Sequence, residues 1–392
     1  MKIALYICEE AVLKWVKLFV GHNVLYVYLE EHAIGKKHVF DGTVNISKEE
    51  LLYIDFNYLI ILSQNQERTS EVSQNLFENG IPKGKILEFC CFIKNPLKSP
   101  VEVFFEKGKL PNYDRFIFGM SHSYGGLLET ELDGNAYKFS APSMDLYYHN
   151  MVVKDICAHY DMRKVKQIIF ELPYYIFNYD ISKCRDVFIH RMNYYYYYSD
   201  YHHFGVGEED KRQIDLFDTL NTICCARPLY TQGCDANKDI LQRTSWMWLL
   251  RKQYLKLRYK LKRNRGHNWT DDEKTKIFDF HPHVWYKKHI DTIEENIRIW
   301  GSIKELLSQY SWIDVKVVVF PFCPWFVNAH RFAINDMKKM FYEEIGLPQT
   351  QVIDCFETFQ AKPECFSDEC HLNDLGRYEF SKILARRIKH VK

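Results

Sequence analysis

The sequence predicts an α/β protein, a doubly wound parallel sheet in a three-layer α/β/α arrangement preceded by a smaller α/β domain. Three observations carry this. Predominantly apolar segments of strand length recur at 2–8, 58–63, 165–172 and 315–320, and 58–62 is apolar throughout. Between them lie stretches of helical periodicity at 69–79, 144–160 and 291–310, and strands alternating with helices build parallel sheets. No run approaches the roughly 18 apolar residues of a membrane span.

Residues 1–110 form the smaller domain. Its strands are 2–8, 23–29 and 58–63, the last ending in a polar turn. A helix at 69–79 follows, and Gly80-Ile81-Pro82-Lys83-Gly84-Lys85-Ile86-Leu87 reads as helix stop, turn and next strand. After the first strand comes Cys8-Glu9-Glu10-Ala11, with no G-x-G-x-x-G and two acids that would repel a pyrophosphate. A docking or positioning module is therefore expected rather than a nucleotide site. The second domain spans 111–392. Strand 116–118 runs into Ser121, 137–139 is a short strand, and 144–160 is a helix with apolar positions 144, 147, 151, 152 and 156. Buried strand 165–172, helix 291–310, buried strand 315–320, short strand 352–355 and closing helix 375–390 complete it. Residues 181–285 break this rhythm with the tyrosine run 194–198, the loop around His202-His203-Phe204-Gly205 and the basic stretch 251–265. They read as an insertion that shapes substrate access at the catalytic edge.

A content of 47% hydrophobic and 26% charged residues is ordinary for a globular chain, and a net charge of +1 excludes global steering of anionic partners. The 16% aromatic content modestly favours a glycan or acyl substrate. The N-terminal apolar run is too short for a signal-peptide core and ends in Glu9 and Glu10, so a cytoplasmic protein is expected. The twelve cysteines agree with a reducing compartment: Cys90-Cys91 and Cys224-Cys225 are adjacent pairs, and none has C-x-x-C spacing. Cys365 and Cys370 flank a D-x-x-H motif without two further ligands nearby, so neither a metal nor a cofactor is expected.

The chemistry concentrates in two distant segments. One is Phe116-Ile117-Phe118-Gly119-Met120-Ser121-His122-Ser123, where a strand hands a serine to the start of a helix; the other is Asp368-Glu369-Cys370-His371-Leu372-Asn373-Asp374-Leu375-Gly376. A serine hydroxyl attacks only when a base takes its proton, and the base needs a carboxylate to fix its tautomer. Ser121, His371 and Asp368 can fill those roles. A serine at such a turn also serves as a plain helix cap, and it is the distant Asp-x-x-His that assigns Ser121 the nucleophile's part. His122 and Ser123 are local competitors, ranked below it.

Over residues 111–392 these blocks resemble the SGNH (GDSL-like) hydrolases, whose first block is usually Gly-Asp-Ser and whose last is Asp-x-x-His-Leu followed by Gly. Here Met120 stands at the aspartate's place, a departure shared with the glycan-modifying branch of that superfamily. The resemblance implies a serine esterase or O-acyltransferase on an SGNH-type sheet, working on an acylated carbohydrate or surface-glycan precursor. It puts the second oxyanion donor in the turn after strand 137–139, at Ser140 or Ala141. The family's Gly-x-Asn-Asp block after the third strand is replaced by Glu171-Leu172-Pro173-Tyr174-Tyr175, with no asparagine until Asn178. Residues 55–63, the helix after them and Gly80-Ile81-Pro82 resemble the Rossmann-like half-domains attached to bacterial polysaccharide-biosynthesis enzymes.

Two further features bear on substrate and place. Trp325, in the turn after strand 315–320, can stack on a sugar or pack in the core. In 246–265, Trp246, Leu250, Tyr254, Leu257 and Leu261 form one helical stripe, and 251–265 carries eight Lys/Arg and no acid. Such a helix can lie on an anionic membrane surface at the inner face or pack, solvated, on its own domain. No nucleic-acid partner is expected, because no recognised motif accompanies the charge. The alternative from a different class is a non-catalytic protein of polysaccharide assembly that binds a glycan or a partner.

Overall fold

The computed structural model describes residues 2–10, 25–30, 43–63, 65–88, 100–105, 112–184, 197–204, 267–279 and 290–390, together with Val12, Leu13, Val16, Lys211 and Ile214. The stretch 246–265, with its amphipathic stripe, and most of the tyrosine run lie outside the described residues. Two units are formed, one of Met1–Lys98 and Phe204–Asn237, the other of Ser99–His203 and Lys238–Lys392.

The first unit holds a five-stranded parallel sheet. Its strands are β1 (Ile3–Ile7), β2 (Leu25–Leu29), β3 (Thr43–Asn45), β4 (Tyr58–Leu62) and β5 (Ile86–Glu88), in the order β3-β2-β1-β4-β5. The central strand β1 is buried along its whole length, as expected for a parallel strand covered on both faces. Helix α1 (Lys48–Leu51) opens with a capping box, in which Ser47 accepts from the Glu50 N–H and the Glu50 carboxylate accepts from the Ser47 N–H. Helix α2 (Gln66–Glu78) then packs against β4 and β5. Strand β3 and helix α1 have no counterpart in the sequence pattern: three residues with a half-exposed pattern give no periodic signal.

The second unit is again a parallel sheet, of β6 (Arg115–Phe118), β7 (Ala136–Lys138), β8 (Gln167–Glu171), β9 (Asp314–Val319) and β10 (Val352–Asp354), in the order β10-β9-β8-β6-β7. The chain leaves β6 toward one edge and, from β8, builds outward to the other. The crevice beyond the carboxyl ends of β6 and β8 is therefore a topological switch point, where doubly wound sheets place their ligands. Side chains alternate across the sheet. Phe118 stacks between Phe139 and Phe170, and Phe170 meets the edge of Trp300. His149 is buried between the Phe118 and Phe170 rings, and burial pulls it down to about 4, so it packs as a neutral ring.

Helix α3 (Pro100–Phe105) belongs to this second core, because Phe104 contacts the rings of Tyr113, Phe116, Tyr137, Phe139 and Tyr160. The second unit thus begins at Ser99, ahead of the boundary at 111 that the sequence pattern suggests. Helix α4 (Ser121–Gly126) follows β6. Helix α5 (Leu146–His159) starts two residues later than its apolar spacing suggests, because Asp145 caps it, accepting from the Tyr148 N–H at 2.8 Å. Helix α6 (Asp271–Asp279) is the described helix of the insertion, and α7 (Ile293–Ser308) packs along α5. After β9, Pro324 at the first turn starts α8 (Pro324–Ala329), then comes α9 (Arg331–Glu344), and α10 (Asp374–His390) closes the chain. Among the described residues, no helix is long and apolar enough to cross a membrane.

Candidate active site

Ser121 stands where β6 turns into α4, with the two preceding residues shaping the turn. Met120 is extended, and a side chain on Gly119 would bring its Cβ within 2.7 Å of the Glu171 Cβ and closer still to Ser123 Oγ. Only glycine lets β6 approach the end of β8 this closely. The short helix that follows is held at its far end by Lys138 of β7, whose buried ammonium donates to the carbonyls of Ser123, Tyr124 and Leu127 and lies 3.3 Å from Glu129. Helix α10 packs on α4, and Ser381 accepts from the Leu128 N–H at 2.9 Å. The nucleophile turn is thereby fixed on three sides.

The loop carrying Asp368 and His371 is closed on itself. Phe366 and Leu372 form an antiparallel bridge, and the Ser367 N–H donates to the His371 carbonyl at 2.9 Å. Asn373 ties the loop to the helix after it. Its amide donates to the carbonyls of Glu364 and Phe366, and its Oδ1 caps α10 by accepting from the N–H groups of Leu375 and Gly376. Its backbone N–H donates to the Cys365 carbonyl, the atom a Cβ on Gly376 would strike. The Leu-Asn-x-x-Gly that follows the histidine thus has a backbone reason.

The structure brings Ser121, His371 and Asp368 together. His371 Nε2 is 2.7 Å from Ser121 Oγ, and His371 Nδ1 is 2.9 Å from both carboxylate oxygens of Asp368. Asp368 is itself locked by accepting from the N–H groups of Cys370 (3.0 Å) and His371 (2.7 Å). Burial alone would raise the Asp368 carboxyl, but the hydrogen bond and charge of His371 outweigh it, and Asp368 sits below its ordinary range. For His371 burial works downward, while the hydrogen bond and charge of Asp368, with Glu369 and Glu171, carry the imidazole above its ordinary value. This fixes the proton on Nδ1 and leaves Nε2 to accept the serine's. Burial pushes the Cys370 thiol far up, so no thiolate competes with Ser121. Cys370 also groups with His122 and His371 at ligand-like separations, but there His371 Nδ1 is held by Asp368, so the group belongs to the same relay.

Beneath the serine lies a carboxylate to which the sequence pattern assigns no part in the site. Glu171, at the end of β8 and 1% exposed, accepts from the Met120 N–H at 2.6 Å and from the Ser123 hydroxyl at 3.1 Å, and its other oxygen is 3.1 Å from His122 Nδ1. Burial works to raise it, yet His122, the Met120 N–H and Ser123 prevail, and the carboxyl is held below its usual value. The one proton of the Ser123 hydroxyl faces both the Glu171 carboxylate and Ser140 Oγ, which accepts from Ser123 at 2.8 Å. The His122 ring lies 5.4 Å from that of His371, at 28°. His122 and Ser123, the local competitors, are buried in this layer and positioned away from a nucleophile's role. The signal in the sequence is the glutamate directly after the apolar run Ile168-Ile169-Phe170 of a fully buried strand, a costly residue to bury without partners.

The turn after β7 is only partly as expected. The Ala141 N–H donates to the Gly119 carbonyl at 3.2 Å, which ties the turn to the nucleophile strand and takes that donor out of use. Ser140, 1% exposed, has its Oγ against the Ser123 hydroxyl. Trp325 lies on α8, whose preceding residue, Cys323, donates its N–H to the Glu369 carbonyl at 3.0 Å. Its ring meets Trp269 at 5.1 Å and has Lys274 over it at 5.6 Å, and both partners come from the insertion. Among the described residues, no hydrogen bond or ring contact joins Trp325 to Ser121, His371 or Asp368. The Trp269 indole donates to the Pro363 carbonyl, so the described part of the insertion borders the Asp-x-x-His loop.

No model of a known protein family matches the chain, and no curated protein matches it either.

Proposed function

We propose that the chain is a serine-dependent acyl-ester enzyme of the SGNH type, an esterase or O-acyltransferase working through an acyl-enzyme. The observation that carries this is the continuous Ser121–His371–Asp368 hydrogen-bonded relay at the switch point of the second sheet. In the forward step Ser121 Oγ bonds to the ester carbonyl carbon while its proton passes to His371 Nε2. Asp368 holds the Nδ1 proton and offsets the charge of the imidazolium. The carbonyl oxygen becomes an oxyanion, for which the Ser121 and Ser140 N–H groups are the nearest donors by place in the fold. Collapse breaks the ester C–O bond, and the leaving alcohol takes the proton from His371. Water or a sugar hydroxyl then gives its proton to His371 and attacks the acyl-serine, which regenerates Ser121.

The sugar part of the substrate rests on the resemblance to glycan-modifying SGNH proteins, as does work at the inner face of a membrane by a cytoplasmic protein. The basic stretch 246–265 is the segment proposed to make that contact. Labelling by a fluorophosphonate, compared between the protein and its Ser121→Ala variant, tests the nucleophile directly.

A further inference from the structure

A second cluster of chemistry-bearing side chains lies in the same unit, outside the relay. Asp180, in the turn after β8, is 1% exposed, and His202 and His203 come from the described stretch 197–204. One donor atom from each of the three lies within 4.8 Å of the others. Both imidazoles present the same edges to the same partners. Nδ1 of His203 is 2.8 Å and Nδ1 of His202 is 3.6 Å from Asp180, while their Nε2 atoms are 3.2 Å (His202) and 3.3 Å (His203) from Glu295, in the first turn of α7.

Ser182 shares the cluster: its N–H and hydroxyl donate to Asp180 Oδ1, and its Oγ lies 3.4 Å from His202 Nδ1. For all four ring nitrogens to donate to the two carboxylates, both imidazoles must be cations, yet their centroids are only 3.9 Å apart. A divalent ion on the Nδ1 side removes the conflict. Each ring is then neutral, binds through Nδ1 and donates its Nε2–H to Glu295, the carboxylate–histidine–metal pattern that orients ligand rings. Zinc bonds to nitrogen and oxygen at about 2.0–2.2 Å, so tetrahedral ligand atoms stand about 3.3–3.5 Å apart. The spacings of 2.8 Å from His203 Nδ1 to Asp180 Oδ2 and 3.6 Å from His202 Nδ1 to Asp180 Oδ1 lie on either side of that value. The charge also closes, since Asp180 and Glu295 supply two negative charges against two positive. Stacking on Tyr147, at 3.7 Å and 11°, fixes the plane of the His202 ring, and the His202 backbone takes a left-handed φ of 53°.

We infer that Asp180, His202 and His203 form a site for zinc or a similar borderline divalent cation, with Glu295 holding both rings from behind. Two imidazoles and a carboxylate suit such ions rather than calcium or magnesium. The bound ion would tie the turn after β8 and the 197–204 stretch to the start of α7.

The test is zinc titration of the chelator-stripped full chain, with metal content measured after gel filtration, beside His203→Gln, Glu295→Gln and His371→Gln variants. His203, the most exposed of the three ligands, is the variant least apt to disturb folding, and circular dichroism checks each protein. The expected result is one zinc per chain and a raised melting temperature for the unmodified protein and for His371→Gln. His203→Gln should lose both, and Glu295→Gln should bind about 10–100-fold more weakly. Absence of stoichiometric zinc on the folded protein overturns the inference. So does undiminished binding by folded His203→Gln, or loss in His371→Gln alone, which would move the ion to the serine relay.

Discussion

Replacing Glu171 separates a positioning role from a catalytic one. Glu171→Gln keeps the shape but has one acceptor oxygen. The better arrangement turns that oxygen to the Met120 N–H and Ser123, and the new amide toward His122 Nδ1. Every group still finds a partner, but all three charge-assisted bonds become neutral ones. With hydrogen bonds to charged groups worth about 1.5–3 kcal/mol and neutral ones about 0.5–1.5, the loss is on the order of 3 kcal/mol. Glu171→Ala instead leaves buried donors unpaired and costs about 3–5 kcal/mol. The sign with pH follows from the depressed carboxyl. Its contribution is fully present above the unfolded value near 4.5 and is lost as pH falls through the lower folded value. Urea denaturation at neutral pH and near pH 4 measures both effects, and fluorophosphonate labelling of the folded variants reports the position of Ser121. Glu171→Ala with unchanged stability and labelling rate would refute the reasoning.

Other expectations follow from the same geometry. Asp368→Asn should slow labelling of Ser121 by about 10³–10⁴. In the unmodified protein the labelling rate should rise with pH through an inflection above the ordinary histidine value of 6.5, because neutral His371 is the active form, and in Asp368→Asn that inflection should move down. A pH-independent rate between roughly 5 and 9, on the order expected of an unassisted hydroxyl, would contradict this. Gly119→Ala should lower stability in urea by about 1–3 kcal/mol and impair labelling, because its Cβ meets the Glu171 side chain. Phe104→Ala should cost about 3–5 kcal/mol if α3 belongs to the second core, and a loss under about 1 kcal/mol would return the unit's start to the later position.

Much of the second unit is legible in the sequence because its central strands are largely buried and carry short apolar cores, Ile168-Ile169-Phe170 in β8 and Val317-Val318-Val319 in β9. The pairing of Asp368 and His371 is legible because three residues of separation suffice for one loop, and Ser121 because an apolar strand ends at Gly119. What stays hidden depends on contacts between distant segments. In sequence Glu171 looks like a missing asparagine, and only the sheet order, which sets β8 beside β6, shows it under Met120 and Ser123. The bond from Ala141 to Gly119 is equally tertiary, and so is the meeting of Asp180, His202, His203 and Glu295 from separate segments of the chain. Helix α9 has Ile334, Met337 and Phe341 on its buried face, a helical period that the aromatic stretch before it obscures.

The most direct test of the central claim is intact-mass analysis after fluorophosphonate treatment of the protein and its Ser121→Ala variant. The account predicts a single adduct on the unmodified protein and none on the variant, with both folded. No adduct on either, or an adduct that persists without Ser121, would contradict it.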